Sequence, residues 1–147
     1  MQAFTPAVIE RACGVPSEDA HFLMRAMAMY DHEVVIALTI MSRCRQCHPE
    51  MTVGALWTGC CVLACKLHDE ENILPFRELA QVLECRPRDL SAAESTVLDV
   101  LQWRIPIDKN DYLRSYKALL GFANEPRIRT CTDGCFDLIF PTSPPKE

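Results

Sequence analysis

The residues best suited to chemistry lie in the sequence CRQCH, from Cys44 to His48. Two cysteines separated by two residues and followed by a histidine match the pattern to which c-type haem is attached. That reading would make the protein an electron carrier. Haem attachment belongs to exported or organellar proteins, however, and the N-terminal sequence MQAFTPAVIERACG lacks a basic stretch followed by an apolar one, the pattern of a secretory signal. We therefore treat haem as a secondary hypothesis.

A zinc site is a second interpretation of the same residues. Cys44, Cys47 and His48 would need Cys131 and Cys135 to complete a tetrahedral set of ligands. The long gap between the two groups makes this pattern weak. The alternative is that the nine cysteines, odd in number and irregularly spaced, are reduced thiols packed as small apolar groups. That alternative predicts an intracellular protein, cytoplasmic or nuclear, with no cofactor and no metal.

Other chemistries find less support. The acidic run from Asp69 to Glu71 is typical of a solvated face, and neither a glycine-rich phosphate loop nor a G-x-S-x-G sequence is present. The net charge of -5 and the scattered basic residues argue against a nucleic-acid surface. No apolar run reaches the roughly 18 residues that span a bilayer. We expect no catalytic residue, no small-molecule substrate, and neither nucleic acid nor membrane as a partner.

The apolar periodicity predicts an all-α protein. The 147 residues fit one domain, and 49% of them are hydrophobic. Pro, Gly and polar clusters divide the chain into a short amphipathic segment at 6–12 and six helices. The expected helices open at Ser17 and Asp31, run over 52–67 and 76–83, open again at Ser91 or Asp89, and run over 110–122.

The helix predicted from Thr52 to Leu67 is apolar on nearly every side, so it should lie at the centre of the bundle. In the helix that Ser17 opens, we expect Phe22, Leu23, Met27 and Tyr30 to point inward. The predicted organisation is an N-terminal extension at 1–16, a helical domain at 17–122 and an irregular C-terminal tail at 123–147.

Three segments resemble a cyclin box. They are ALTIMSR at 37–43, LACKLHDEE at 63–71 and ESTVLDVLQWRI at 94–105. The first is similar to the end of the second box helix, the second to the close of the central helix, and the third to the fifth helix. Their order and separations also resemble the family's, and the short layout is most similar to the phosphate-regulon (PREG-type) cyclins. The resemblance implies a five-helix bundle around a buried central helix.

The same resemblance implies a regulatory subunit that binds and activates a cyclin-dependent protein kinase. It places Lys66 and Glu94 side by side on the kinase-facing surface, with Leu67, Leu98, Trp103 and Ile105 as the apolar contacts around them. Lys66 ends one predicted helix and Glu94 lies near the start of another, so each charge would complement a helix dipole. Leu98 has an equally simple interpretation as a core residue, and Trp103 as a cap on the core.

The segment at 37–43 departs from the family at one informative position. Ser42 stands where cyclins carry an aspartate, and Arg25 is the candidate for the arginine that normally pairs with it. The departure leaves a second function open, a cyclin-fold scaffold that joins other proteins without activating a kinase. The sequence does not choose among roles in the cell cycle, transcription or metabolic signalling.

Overall fold

The structure, a computed structural model, describes residues 4–68, 76–104 and 107–124. These residues form seven helices and contain no strand, which confirms the all-α prediction. The helices are α1 (Pro6–Cys13), α2 (Ser17–Ala26), α3 (Asp31–Cys47), α4 (Val53–His68), α5 (Phe76–Val82), α6 (Pro87–Val100) and α7 (Lys109–Asn124). The first two residues of the predicted irregular tail, Ala123 and Asn124, are helical and end α7. The rest of that tail lies outside the described residues.

Helix α1 has a strong signal at each end. Thr5 is its N-cap, and the Thr5 hydroxyl accepts a hydrogen bond from the backbone N–H of Val8 at 3.3 Å. Pro6 occupies the first turn, where a missing N–H costs nothing. Gly14 ends the helix with φ at 81°, a left-handed conformation that glycine adopts without a Cβ clash. The buried side of α1 packs against α2 and α7.

Two predicted caps are displaced by one residue. Ser17 is the first helical residue of α2, behind Pro16, and Asp31 is the first helical residue of α3, behind Tyr30. The cap of α3 is supplied from inside the helix, because a Glu33 carboxylate oxygen accepts from the Tyr30 N–H at 2.7 Å. Asp31 instead accepts from the backbone N–H of Phe4 at 3.2 Å, which joins the start of the chain to α3.

The expectation about the inner face of α2 is partly wrong. Leu23 is buried, but Phe22 and Tyr30 are among the exposed large hydrophobic residues. Residues 27–30 leave the helix, with Ala28 at a φ of 50°, so Tyr30 no longer follows the helical register that placed it inward. The pair Tyr30 and His32 stack on each other with ring centroids 6.2 Å apart.

Helix α4 is the central helix that its composition predicts. It packs chiefly against α3 and α6, and its buried residues belong to every side of the helix. They are Leu56, Trp57, Cys60, Cys61, Val62, Leu63, Ala64 and Cys65. Because α4 is enclosed in this way, residues near its two ends are the ones that reach the surface.

Helix α6 begins earlier than the Ser91–Glu94 capping-box interpretation predicts. Pro87 is in its first turn, and the Asp89 carboxylate accepts from the backbone N–H of Arg86 at 3.0 Å. The other predicted cap, Asp89, is also displaced, because the N-cap is Arg86 and Asp89 is the third residue of the helix. The helix also ends earlier, at Val100 rather than at Pro106.

Helix α7 closes the bundle against α1 and α3. The Thr39 and Ser115 hydroxyls hydrogen-bond to each other at 2.8 Å in the buried interface. At the same interface Arg43 forms an ion pair with Asp111, whose side chain is buried. The rings of Phe4 and Tyr116 meet edge to face at 5.6 Å. None of the described helices combines the length and apolar character needed to cross a bilayer.

Candidate protein-interaction site

Lys66 and Glu94 form an ion pair that joins the end of α4 to α6. The Lys66 Nζ atom lies 2.9 Å from Glu94 Oε1 and 2.8 Å from Oε2, so the ammonium contacts both carboxylate oxygens. The Lys66 side chain is 39% exposed and the Glu94 side chain 13% exposed. A partially buried pair of this kind is ordered by the bundle and still accessible to a partner from one side.

Lys66 and Glu94 occupy different positions along their helices. Lys66 is in the last turn of α4, where a cation complements the helix dipole. Glu94 is the eighth residue of α6, because that helix begins at Pro87. The dipole effect falls off within the first turn. The expectation that Glu94 lies near a helix start is therefore wrong, and Lys66 is the main partner of its charge.

The predicted apolar contacts divide into three groups. Leu67 and Trp103 are exposed, at 48% and 67%. Leu98 is 9% exposed and belongs to the main hydrophobic core, so its first role is packing. Ile105 lies outside the described residues. The structure thus leaves two large apolar side chains open to solvent, Leu67 beside Lys66 on α4 and Trp103 in the turn after α6.

Trp103 is held in an unusual backbone conformation just after α6. Gln102 and Trp103 have φ values of 55° and 58°, in the left-handed region that non-glycine residues seldom enter. The Trp103 N–H donates to the Leu98 carbonyl at 2.7 Å, and the indole Nε1 donates to Asp99 at 3.1 Å. These bonds keep a large aromatic ring exposed beside α6. No local signal in the sequence marks this turn, since glycine is absent from it.

Ser42 and Arg25 are not brought together. Ser42 is buried in α3, and its hydroxyl has no hydrogen-bond partner within the described part of the chain. Arg25 is exposed on α2. The neighbouring Arg43 makes the buried contact instead, with Asp111 of α7. Sequence reasoning missed this pair because the two residues are 68 positions apart and no motif links them.

The CRQCH residues do not converge on one site. Cys44 is fully buried, Cys47 is exposed, and the His48 Nδ1 atom lies 3.0 Å from an exposed Glu50 carboxylate. Covalent attachment of haem would require Cys44 to leave the core. Cys131, Cys135 and the acidic run at 69–71 lie outside the described residues, and the described ones hold no group of three or more ligands suited to a metal.

Comparison with known proteins adds no relative. No family model, no curated protein and no solved structure matches this chain.

Proposed function

We propose that this chain is a cyclin-like regulatory subunit that binds and activates a cyclin-dependent serine/threonine protein kinase. The observation that carries the proposal is the Lys66–Glu94 contact, formed between residues 28 positions apart. In the cyclin family that the three sequence segments resemble, the matching pair faces the kinase. In this bundle it joins α4 and α6, with Leu67 exposed on α4 and Trp103 exposed in the turn after α6.

The proposed interface has the anatomy of a binding hot spot. Its centre is an ordered charged pair, and exposed Leu67 and Trp103 supply apolar area. Tryptophan is enriched among residues whose truncation costs the most binding free energy. Because the charges of Lys66 and Glu94 are already paired with each other, a docking helix needs only to complete the remaining hydrogen bonds of the two side chains. Losing either side chain would leave the other charge buried and unpaired against the partner.

Activation would be a shift in the kinase's conformational equilibrium. A rigid surface that binds the active arrangement more tightly than the inactive one raises the population of the active arrangement. In an active kinase a lysine–glutamate pair of its own must be in place, and the proposed contact stabilises the helix that carries that glutamate. Every catalytic group belongs to the kinase, and this chain contributes binding free energy alone.

A cyclin-fold scaffold is the second candidate, and Ser42 favours it. Where cyclins have an aspartate, this chain has a buried hydroxyl with no partner among the described residues. An arginine–aspartate pair that orders the corresponding helices is therefore missing. A scaffold would keep the binding surface and lose the effect on kinase activity, so an activity measurement on captured kinase separates the two candidates.

The test is a pull-down from cell extract with the wild-type chain and the Lys66→Ala, Glu94→Ala double variant, followed by a kinase assay on a generic substrate. We expect the wild type to capture an active kinase and the double variant to lose tens- to thousands-fold in affinity, since breaking a desolvated charge pair costs about 2–5 kcal/mol. The His48→Ala, Glu50→Ala variant removes an exposed pair and serves as the matched control.

Circular dichroism on each variant shows whether the bundle is intact. Equal capture by wild type and a folded double variant, or capture by neither, would contradict the proposed interface. Kinase captured by the wild type without a gain in activity would favour the scaffold.

A further inference from the structure

A cavity of about 360 Å³ opens between α2, α4, α6 and the segment that joins α5 to α6. None of the residues proposed to contact a kinase lines it. Its size falls in the range of small-molecule sites, which begin near 300 Å³. Most of its wall is apolar and includes Phe22, Trp57 and Leu90. Trp57 and Leu90 are buried, so this part of the wall is preformed by the core, and Phe22 is exposed at the mouth.

The charges in the wall have one sign. Asp19 and Asp89 line the cavity, and no Lys, Arg or His does so among the described residues. The Asp89 carboxylate is engaged by the backbone N–H of Arg86, which holds the pKa of Asp89 below its ordinary value. It also lies 3.5 Å from the Arg86 guanidinium Nε, so its charge is already compensated and Asp19 is the carboxylate left to attract a cation. Asp19 has no ion-pair partner among the described residues, and it is exposed in the first turn of α2. The cavity therefore favours a positive charge beside an apolar wall.

We propose that this cavity binds a small organic ammonium, an apolar ring or short alkyl body that carries one protonated amine. The body packs against Phe22, Trp57 and Leu90, and the amine lies beside Asp19. Aromatic side chains in the wall add to the preference for a cation, because a ring face attracts positive charge. An exposed carboxylate contributes modestly, so burial of the body supplies most of the affinity and the charge supplies selectivity.

Cys85 gives a direct readout, because it lines the cavity and is partly exposed. The test measures the rate of Cys85 alkylation by iodoacetamide in the full chain, by mass spectrometry of the labelled peptides. The exposed Cys47, which does not line the cavity, is the internal control. The probes are 2-phenylethylammonium, the neutral 2-phenylethanol and the anionic phenylacetate. These three compounds share a ring and differ in charge.

We expect 2-phenylethylammonium to slow labelling of Cys85 and to leave Cys47 unchanged. Its apparent affinity should be about two- to fivefold higher than that of the alcohol, the range of one exposed ion pair. Phenylacetate should protect least. The Asp19→Asn variant should bring the ammonium and the alcohol to equal affinity, since the amide keeps the shape of the side chain and loses its charge.

Gly54→Leu is the blocking variant. A Cβ at Gly54 meets no atom within 4 Å, and leucine is a better helix former than glycine in α4, so the variant should remain folded. The added side chain fills the cavity, and the protection by either probe should disappear. Unchanged Cys85 labelling with the ammonium, or equal protection by all three probes, would overturn the proposal. So would a preference for the ammonium over the alcohol that survives Asp19→Asn, or protection that survives Gly54→Leu.

Discussion

At the scale of single residues, the buried polar groups of this bundle are mostly paired across helices. Thr39 and Ser115 hydrogen-bond between α3 and α7, and Arg43 pairs with the buried Asp111. A buried carboxylate without a partner would be costly, so these contacts specify which side of α7 faces α3. Ser42 is an exception, and its unpaired hydroxyl lies next to Arg43 in the chain.

The Arg43–Asp111 pair is therefore expected to be a stabilising contact. Arg43→Met should lower the free energy of unfolding by about 1–3 kcal/mol, because it leaves the Asp111 carboxylate buried without its cation. This expected loss of stability is smaller than the loss from breaking a fully buried ion pair, because the Arg43 side chain is 33% exposed and solvent screens its charge. Urea denaturation measures the change.

The double variant Arg43→Met, Asp111→Leu is the matched control. It replaces both charges with apolar groups and should recover most of the loss. A single variant as stable as the wild type, or a double variant less stable than the single one, would contradict this account.

At the scale of elements, α4 and α6 approach each other closely at Gly59. Gly59 of α4 faces Ala93 and Val97 of α6, and a Cβ built at Gly59 would contact the Ala93 carbonyl oxygen and lie 2.7 Å from Val97 Cγ2. Since α6 carries Glu94 beside Ala93, this packing also sets the distance at which Lys66 meets Glu94. Glycine is required at position 59 by space rather than by backbone conformation.

Gly59→Ala should lower the free energy of unfolding by about 1–3 kcal/mol, the usual cost of overpacking, although alanine is the better helix former. Gly121→Ala is the control, because a Cβ at Gly121 in α7 meets nothing within 4 Å. That variant should gain about 0.5–1 kcal/mol from helix propensity alone. Urea denaturation of both variants gives the comparison, and a Gly59→Ala protein as stable as Gly121→Ala would show that α4 and α6 do not pack this closely.

At the scale of the whole molecule, five of the seven described cysteines are buried and line the interior across α1, α3 and α4. Burial raises the pKa of the Cys13 thiol to about 12, and burial with the nearby Glu33 carboxylate raises the pKa of Cys65 to about 12. Burial also raises the pKa of Cys60 and Cys61 well above the ordinary value. Cys44 is the exception, because its side-chain hydrogen bond with Cys60 lowers its pKa. The other four buried thiols are held protonated.

These shifts predict a loss of stability in alkali. An unfolded thiol ionises near pH 8.5, whereas the four buried thiols with raised pKa keep their protons to higher pH. The folded state then binds more protons than the unfolded state. The contribution of these thiols to the free energy of unfolding is therefore fully present below about pH 8.5 and is lost as the pH rises towards the folded pKa. The urea midpoint under reducing conditions should fall between about pH 7.5 and about pH 9.5.

The Cys13→Val variant should show a smaller fall, since it removes one of the titrating thiols, and Cys47→Ala should match the wild type because Cys47 is exposed. An equal fall in the wild type and in Cys13→Val would contradict the assignment of the effect to the buried thiols.

The sequence by itself determined the helical class, the order of the helices and the central position of α4, because apolar periodicity is read from neighbouring residues. It located helix ends less well. Asp89 and Ser91 were both reasonable N-caps for α6, but the N-cap is Arg86, and Asp89 accepts the Arg86 N–H from inside the helix. The sequence also did not predict that Phe22 is exposed. Helical periodicity indicates which residues share a face of a helix, but not how much of that face is covered by other helices.

Only the tertiary structure decided which distant side chains meet. The sequence suggested Lys66 and Glu94 as neighbours through family resemblance. The packing of α4 on α6 places Lys66 Nζ 2.8 Å from Glu94 Oε2. Arg43 with Asp111 and Gly59 with Ala93 had no sequence signal at all. Contacts of this kind depend on the angle and distance between helices, which result from packing the whole core at once and from no single segment of the chain.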